Sequence, residues 1–260
     1  MNSFNSGAFQ AARQGAFGRD LRWHASTAST QDAAREAVGL GAAHGCVVLA
    51  EEQGAGRGRW GRSWQAPAGA GLLFTVVLGL DGPAAPASLP VVLGLATAQA
   101  LRALGLKDAA VKWPNDLWWR ERKLGGLLIE QASGFMLAGC GLNITQSETD
   151  WPDGLRGQAA SLRQAGVQAS REAVLAAVLG SWERALGVWM RGGLEAFRTE
   201  LDAYDALLGR DCRVSLGKEI LHGRVLGVAP DGSLRLALAD GGERRLQAAQ
   251  AMDLRPVWTD

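Results

Sequence analysis

The segment EQGAGRGRWGRSW, residues 52–64, constrains this chain more than any other. It follows a short apolar run, Cys46 to Ala50, of the kind that forms a buried strand. Gly56, Gly58 and Gly61 satisfy G-x-G-x-x-G, and Asp81 stands twenty positions further on as a candidate ribose acid. A dinucleotide site needs a helix directly after that motif, its N-terminus aimed at the pyrophosphate. Here Pro67, Gly69 and Gly71 follow instead, and they cannot sustain one. The stretch 53–71 is therefore expected to be a loop. Its glycines let backbone come close to a ligand, while Arg57, Arg59 and Arg62 suit a phosphate or carboxylate guest. A solvated basic loop with two packed tryptophans is the alternative for this segment alone.

Around the loop, local signals alternate between helix and strand. Ser29-Thr30-Gln31-Asp32 matches the [ST]-x-x-[DE] helix start, continued to Val38 and stopped at Gly39-Leu40-Gly41. Leu72 to Leu80 reads as a strand closed by an Asp81-Gly82-Pro83 turn, and Pro90 to Leu104 as an apolar helix. Four strands are expected at Ala109–Trp113, Asp116–Trp119, Gly126–Gln131 and Phe135–Ile144. Two helices follow, the first with Val174, Leu175, Val178, Leu179, Trp182, Leu186 and Trp189 at helical spacing, the second from Leu194 to Leu208. After Gly209 the texture becomes short strands with Asp231-Gly232 and Asp240-Gly241-Gly242 as hairpin turns. The expected class is α+β, a central mixed sheet with flanking helices and a small C-terminal β-barrel. Residues 1–20 are expected to be a flexible arm, 21–208 the main domain and 209–260 the barrel.

A second segment can carry chemistry. Lys112-Trp113-Pro114-Asn115-Asp116 and Arg122-Lys123-Leu124-Gly125-Gly126 put charge at strand ends, where side chains converge. Asp116 can orient a lysine or help hold magnesium, and Lys123 can meet a carboxylate or phosphate oxygen. Read alone, the pair is better explained as an ordinary β-hairpin with exposed charges and an Asn-Asp turn.

Composition excludes several classes. Net charge is +1, so bulk positive charge does not hold a nucleic acid or an anionic membrane. Cys46, Cys140 and Cys212 are odd in number and widely spaced, which speaks against disulfides or a cysteine zinc site. His24, His44 and His222 lack metal spacing. The N-terminus has no signal-peptide core, and no apolar run approaches the ~18 residues of a membrane span. A cytoplasmic protein is expected.

Taken together and in order, these segments resemble the biotin protein ligases. The resemblance runs through Ser29-Thr30-Gln31, the Glu52 to Trp64 loop, Lys112-Trp113-Pro114-Asn115-Asp116, Arg122-Lys123-Leu124-Gly125-Gly126 and Gly139-Cys140-Gly141-Leu142-Asn143, covering about residues 22–145. It implies a class II synthetase-like catalytic domain with an SH3-like end domain. It also implies a two-step reaction: biotin and ATP give biotinyl-5′-adenylate and pyrophosphate, then a lysine of a biotin carboxyl carrier domain displaces AMP. By resemblance Lys123, Arg57, Arg59 and Asp116 carry catalysis. Ser29, Thr30, Gln31, Gln53, Arg57, Gly58, Arg59 and Lys123 line the biotin site. Arg62, Trp64, Lys112, Asn115 and Asn143 serve ATP, with Trp64 stacked on adenine and Asp116 a possible Mg2+ ligand. Ser29 has a second role as helix cap. Many relatives have Asn where Gln31 stands.

The resemblance starts near Trp23, so a ligase without the DNA-binding winged helix of some members is expected, with no DNA or membrane partner. An open sheet edge could pair with a carrier domain or a second copy, making a homodimer possible. Lipoate ligases share the fold but lack the G-R-G-R-x-G-R loop. A nucleic-acid-binding module would need stacking aromatics in the barrel, which has only Trp258 after Tyr204.

Overall fold

The computed structural model describes residues 3–80 and 87–257; the expected Asp81 turn and Trp258 lie outside them. A seven-stranded mixed sheet organises the main body. In chain order its strands are β1 (Leu21–His24), β2 (Val47–Ala50), β3 (Gly71–Leu78), β4 (Ala109–Lys112), β5 (Asp116–Trp119), β6 (Arg122–Ala132) and β7 (Phe135–Asn143). Their spatial order is β1-β2-β3-β7-β6-β5-β4. Only β1 and β2 pair in parallel, joined through helix α2 (Thr30–Gly39); α1 (Ser6–Ala12) precedes them. Every other neighbouring pair is antiparallel, and β3 meets β7 only after the chain has passed through a helix and β4, β5 and β6.

Helices cover both faces, which is why β2 and β3 read as unbroken apolar runs rather than alternating ones. Val48, Val77 and Leu137 pack under α2 with Ala34 and Ala37. Val47, Leu49, Phe74 and Val76 face the other way, against α3 (Leu89–Ala103) and α4 (Arg171–Gly192). Trp182 of α4 packs tilted on Phe74 at 5.4 Å, and its indole N–H donates to Thr97 at 2.8 Å. Helix α4 is long and apolar enough to cross a membrane by length and composition alone, yet most of its apolar window is buried inside the protein. Its apolar residues are spent on this core, so burial accounts for its character.

The N-terminal residues depart from the expected loose arm. Asn5 caps α1 by accepting from Ala8 N–H, and Phe4, Phe9 and Phe17 are all buried. Their spacing has no helical or strand period, because each enters the core from a different piece of backbone. Glu51 ties the segment down: its carboxylate accepts from Phe4 N–H at 2.6 Å and Trp23 Nε1 at 3.2 Å and pairs with Arg171. Burial pushes that carboxyl up, but these three donors outweigh it and hold its pKa below the usual range.

After α5 (Arg198–Tyr204) come β8 (Asp211–Leu216), β9 (Glu219–Val228), β10 (Leu234–Leu238), β11 (Glu243–Leu246) and β12 (Asp253–Pro256), an antiparallel sheet ordered β11-β10-β9-β8-β12. The expected long second helix shrinks to a 3₁₀ turn, Leu194–Phe197, followed by the short α5. The small sheet is keyed to the main body. Trp113 Nε1–H donates to Gly232 O at 2.9 Å, and a Cβ at Gly232 (φ 86°) would sit 2.6 Å from Ser88 N.

Asp205 sits at this seam, partly exposed beside Val111, Trp113 and Val228. Desolvation raises its carboxyl to about 6, although Leu207 N–H donates to it at 2.8 Å. The folded chain thus binds a proton there more readily than the unfolded one, so stability falls as pH rises from about 4 to about 6. Asp205→Asn keeps the acceptor for Leu207 and removes the charge. Allowing for solvent screening, it should stabilise the protein by about 1–2 kcal/mol at pH 7 and by nothing at pH 3.5, read from denaturant midpoints. An equal shift at both pH values would refute the assignment.

Candidate functional site

One large cleft, of about 1020 Å³, opens over β5, β6 and β7, between the Gly/Arg loop, residues 150–159 and residues 251–256 of the small sheet. Its floor is made of glycines. Gly126 faces Gly141 across β6 and β7, and Gly139 pairs with Leu128. Side chains from elsewhere therefore lie directly on the sheet. A Cβ at Gly139 would sit 2.7 Å from Gln31 Nε2, and one at Gly141 would sit 2.6 Å from the Trp64 indole.

The lysines owe their placement to β5 and β6. Between Leu117 and Trp118 the register shifts, Leu117 facing Gly125 and Trp118 facing Lys123, so Leu124 is the bulged residue. The extra residue rotates Lys123 onto the face that already carries Lys112, Asp116 and Trp118. There Lys123 Nζ meets Asp116 Oδ1 at 2.7 Å and stands 5.7 Å from the Trp64 ring. Lys112 lies 4.6 Å over the Trp118 ring, and burial pulls its ammonium below the ordinary lysine pKa. Trp118 is both buried and cleft-lining.

Beside this pair, Asn115 is fastened by two backbone-linked bonds: Nδ2 to Leu127 O at 2.6 Å and Leu127 N–H to its own carbonyl at 2.9 Å. Asn143, expected at the nucleotide, is 4 % exposed and turns its amide donor to protein carbonyls, Ala160 at 3.0 Å and Lys123 at 3.4 Å. In this structure it fixes the backbone that carries Lys123.

At the other end, Ser29 caps α2 by accepting from Gln31 N–H, and Thr30 N–H donates to Gln53 Oε1 at 2.7 Å. Gln31 donates to Leu128 and Leu137 carbonyls, leaving its Oε1 buried without a partner. The Trp64 indole N–H is likewise buried and unpartnered.

The Gly/Arg loop is more ordered than a mobile lid. Trp64 N–H donates to Gly56 O and Gly58 N–H to Arg62 O, closing a small hairpin with a 3₁₀ turn, Arg59–Gly61, at its tip. Trp60 has φ 59°, a left-handed conformation rare for a side chain of that bulk. Three side chains fix the tip to the segment between β11 and β12. Arg59 donates to Ala248 and Ala251 carbonyls, Trp60 Nε1–H to Ala251 O at 3.1 Å, and Arg62 to Met252 O at 2.9 Å. Arg57 points the other way, to Asp32 on α2, with both contacts at 2.7 Å.

All the sequence-predicted residues, Ser29, Thr30, Gln31, Gln53, Arg57, Gly58, Arg59, Arg62, Trp64, Lys112, Asn115, Asp116, Lys123 and Asn143, line this one cleft. Sequence reasoning missed Trp60, Trp151 and the 251–256 wall. Trp151 offered one sign, a lone tryptophan in a polar loop. Among the described residues no three His, Cys, Asp or Glu side chains converge as a metal cage. Mg2+ that keeps its water and phosphate oxygens needs one or two protein carboxylates, and Asp116 fits that demand.

The comparisons agree on one kind of protein. The model of the biotin/lipoate A/B protein ligase family matches residues 23–144, and that of the biotin protein ligase C terminal domain matches residues 207–251. The chain is 35% identical to the biotin–[acetyl-CoA-carboxylase] ligase of Mycobacterium tuberculosis, over 76% of this chain and 74% of that protein. It is 31% identical to the bifunctional ligase/repressor BirA of Escherichia coli, over 79% of this chain and 68% of that protein. Among solved structures, the biotin protein ligase from Aquifex aeolicus in complex with biotin and ATP superposes with a TM-score of 0.82. It is 26% identical, and the match covers 92% of this chain and all of that one.

Proposed function

This chain belongs to the biotin/lipoate A/B protein ligase family, in its biotin protein ligase branch, and on that premise we propose how its cleft divides the chemistry. The reaction is ATP-dependent biotinylation of a carrier lysine. In the first step a biotin carboxylate oxygen bonds to the α-phosphorus of ATP, and the bond to the β-phosphate breaks, releasing pyrophosphate. In the second a neutral lysine amine of the carrier bonds to the carbonyl carbon of the anhydride, AMP leaves, and the nitrogen loses a proton.

Bringing a carboxylate to a phosphate opposes two anions, so alignment and charge neutralisation dominate. Lys123 contacts both groups, and Asp116 holds its ammonium over the cleft floor. The single observation that carries this reading is that 2.7 Å pair, set on bare glycine backbone beneath the arginine loop. Ser29, Thr30, Gln31 and Gln53 hold the biotin rings. Arg57, Gly58 and Arg59 close over biotin and the adenylate. Trp64 stacks on adenine, and Arg62, Lys112 and Asn115 serve the phosphates. Asn143 acts through the Lys123 backbone. Asp116 would hold the Mg2+ that accompanies the triphosphate, and the ion would supply charge neutralisation there. The functional division falls near Gly209, with the small sheet closing one wall. The substrate protein is the carrier domain of a biotin-dependent carboxylase, and the compartment is the cytoplasm, where ATP and such carriers meet. With a net charge of +1, no DNA partner is assigned.

Transfer to a purified carrier domain tests the whole reading by intact-mass analysis. Biotin with ATP and Mg2+ should label one carrier lysine. Labelling by lipoate in place of biotin would overturn it.

A further inference from the structure

Arg57 belongs to the cleft rim, yet its guanidinium is turned outward. It meets both carboxylate oxygens of Asp32 at 2.7 Å, and Glu130 lies 3.8 Å away. Arg35 reaches the same two acids, at 3.0 Å from each. Two acids and two arginines thus form a closed charge ring on the outer flank of α2. Asp32, Arg35 and Glu130 contribute nothing to the cleft lining, whereas Arg57 does. Gln31, one helical position before Asp32, lies on the cleft floor. A single residue step on α2 therefore separates the interior from the point where Arg57 is anchored.

The members of the ring are well exposed, Arg57 at 36% and Asp32 at 43% of their side chains. An exposed pair of this kind is weak, equivalent to about a two- to fivefold change in an equilibrium. A carboxylate or phosphoanhydride bound in the cleft is less hydrated and makes the stronger partner.

We propose that Asp32 is a positioning residue for adenylation: it anchors Arg57 outside the cleft and competes with the ligand's carboxylate and α-phosphate for that guanidinium. The inference rests on the biotin-ligase reading of the cleft. Asp32 thereby weakens the hold on anionic ligands and speeds the release of the adenylate toward the carrier.

The test compares the full-length protein with its Asp32→Asn, Asp32→Glu and Glu130→Gln variants. Affinities for biotin and for its uncharged alcohol analogue are measured by calorimetry, with the release rate of biotinyl-adenylate by stopped flow. Asp32→Asn should tighten biotin and slow adenylate release by about two- to fivefold and leave the alcohol analogue unchanged. Asp32→Glu should restore wild-type values, and Glu130→Gln should shift biotin in the same direction as Asp32→Asn. Weaker or unchanged biotin binding in Asp32→Asn overturns the proposal, as does an equal shift for the alcohol. If Asp32→Asn does not fold, Glu130→Gln decides alone, and an unshifted biotin affinity refutes it. Failure of the wild-type protein to bind biotin at all would instead remove the ligase reading underneath.

Discussion

Lys123→Ala should abolish adenylate formation, lowering its rate by at least about a thousandfold. The loss exceeds that of one hydrogen bond, because the ammonium lies 2.7 Å from Asp116. Removing it deletes the positive charge where two substrate anions must meet and leaves Asp116 facing them unpaired. The variant should nonetheless fold: the Lys123 side chain is 42% exposed, and its backbone is held independently, by Gln158 O and Ala160 N–H. Single-turnover formation of biotinyl-adenylate reads the effect, with circular dichroism as the folding control. Near-wild-type single turnover in Lys123→Ala would remove the residue from the chemistry.

Trp64→Ala should raise the KM for ATP by between one and two orders of magnitude while changing biotin affinity little. Stacking a base on an aromatic ring contributes about 1–3 kcal/mol. Trp64 is held flat by the floor, since a Cβ at Gly141 would lie 2.6 Å from its indole. Gly141→Ala therefore offers an independent route to the same result, displacing the ring without altering its chemistry. Both variants should resemble each other in ATP KM. A Gly141→Ala protein with unchanged KM for ATP would separate Trp64 from the nucleotide.

The parts of this account legible in the sequence are those written in local chemistry. Ser29 caps α2 because an [ST]-x-x-[DE] start needs only four residues to act, and the Pro67, Gly69 and Gly71 breakers excluded a nucleotide-binding helix correctly. The gathering of the motif residues into one cleft was legible by resemblance rather than by spacing. Geometry set by tertiary register was not. The Leu124 bulge that turns Lys123 beside Asp116 leaves no mark in a string of residues. Phe4, Phe9 and Phe17 have no common period, so a segment with three core anchors read as an arm. Arg57 illustrates the same limit: its partner, Asp32, is twenty-five residues away on another element. Nor does any local rule tell Arg59, Trp60 and Arg62 to seek carbonyls of the small sheet.

The central claim is that this cleft joins biotin to the α-phosphate of ATP before any carrier arrives. The most direct measurement is exchange of labelled pyrophosphate into ATP by the protein alone with Mg2+, with and without biotin. Exchange should require biotin, need no carrier domain and disappear in Lys123→Ala. Exchange that proceeds without biotin, or that lipoate supports and biotin does not, would contradict it.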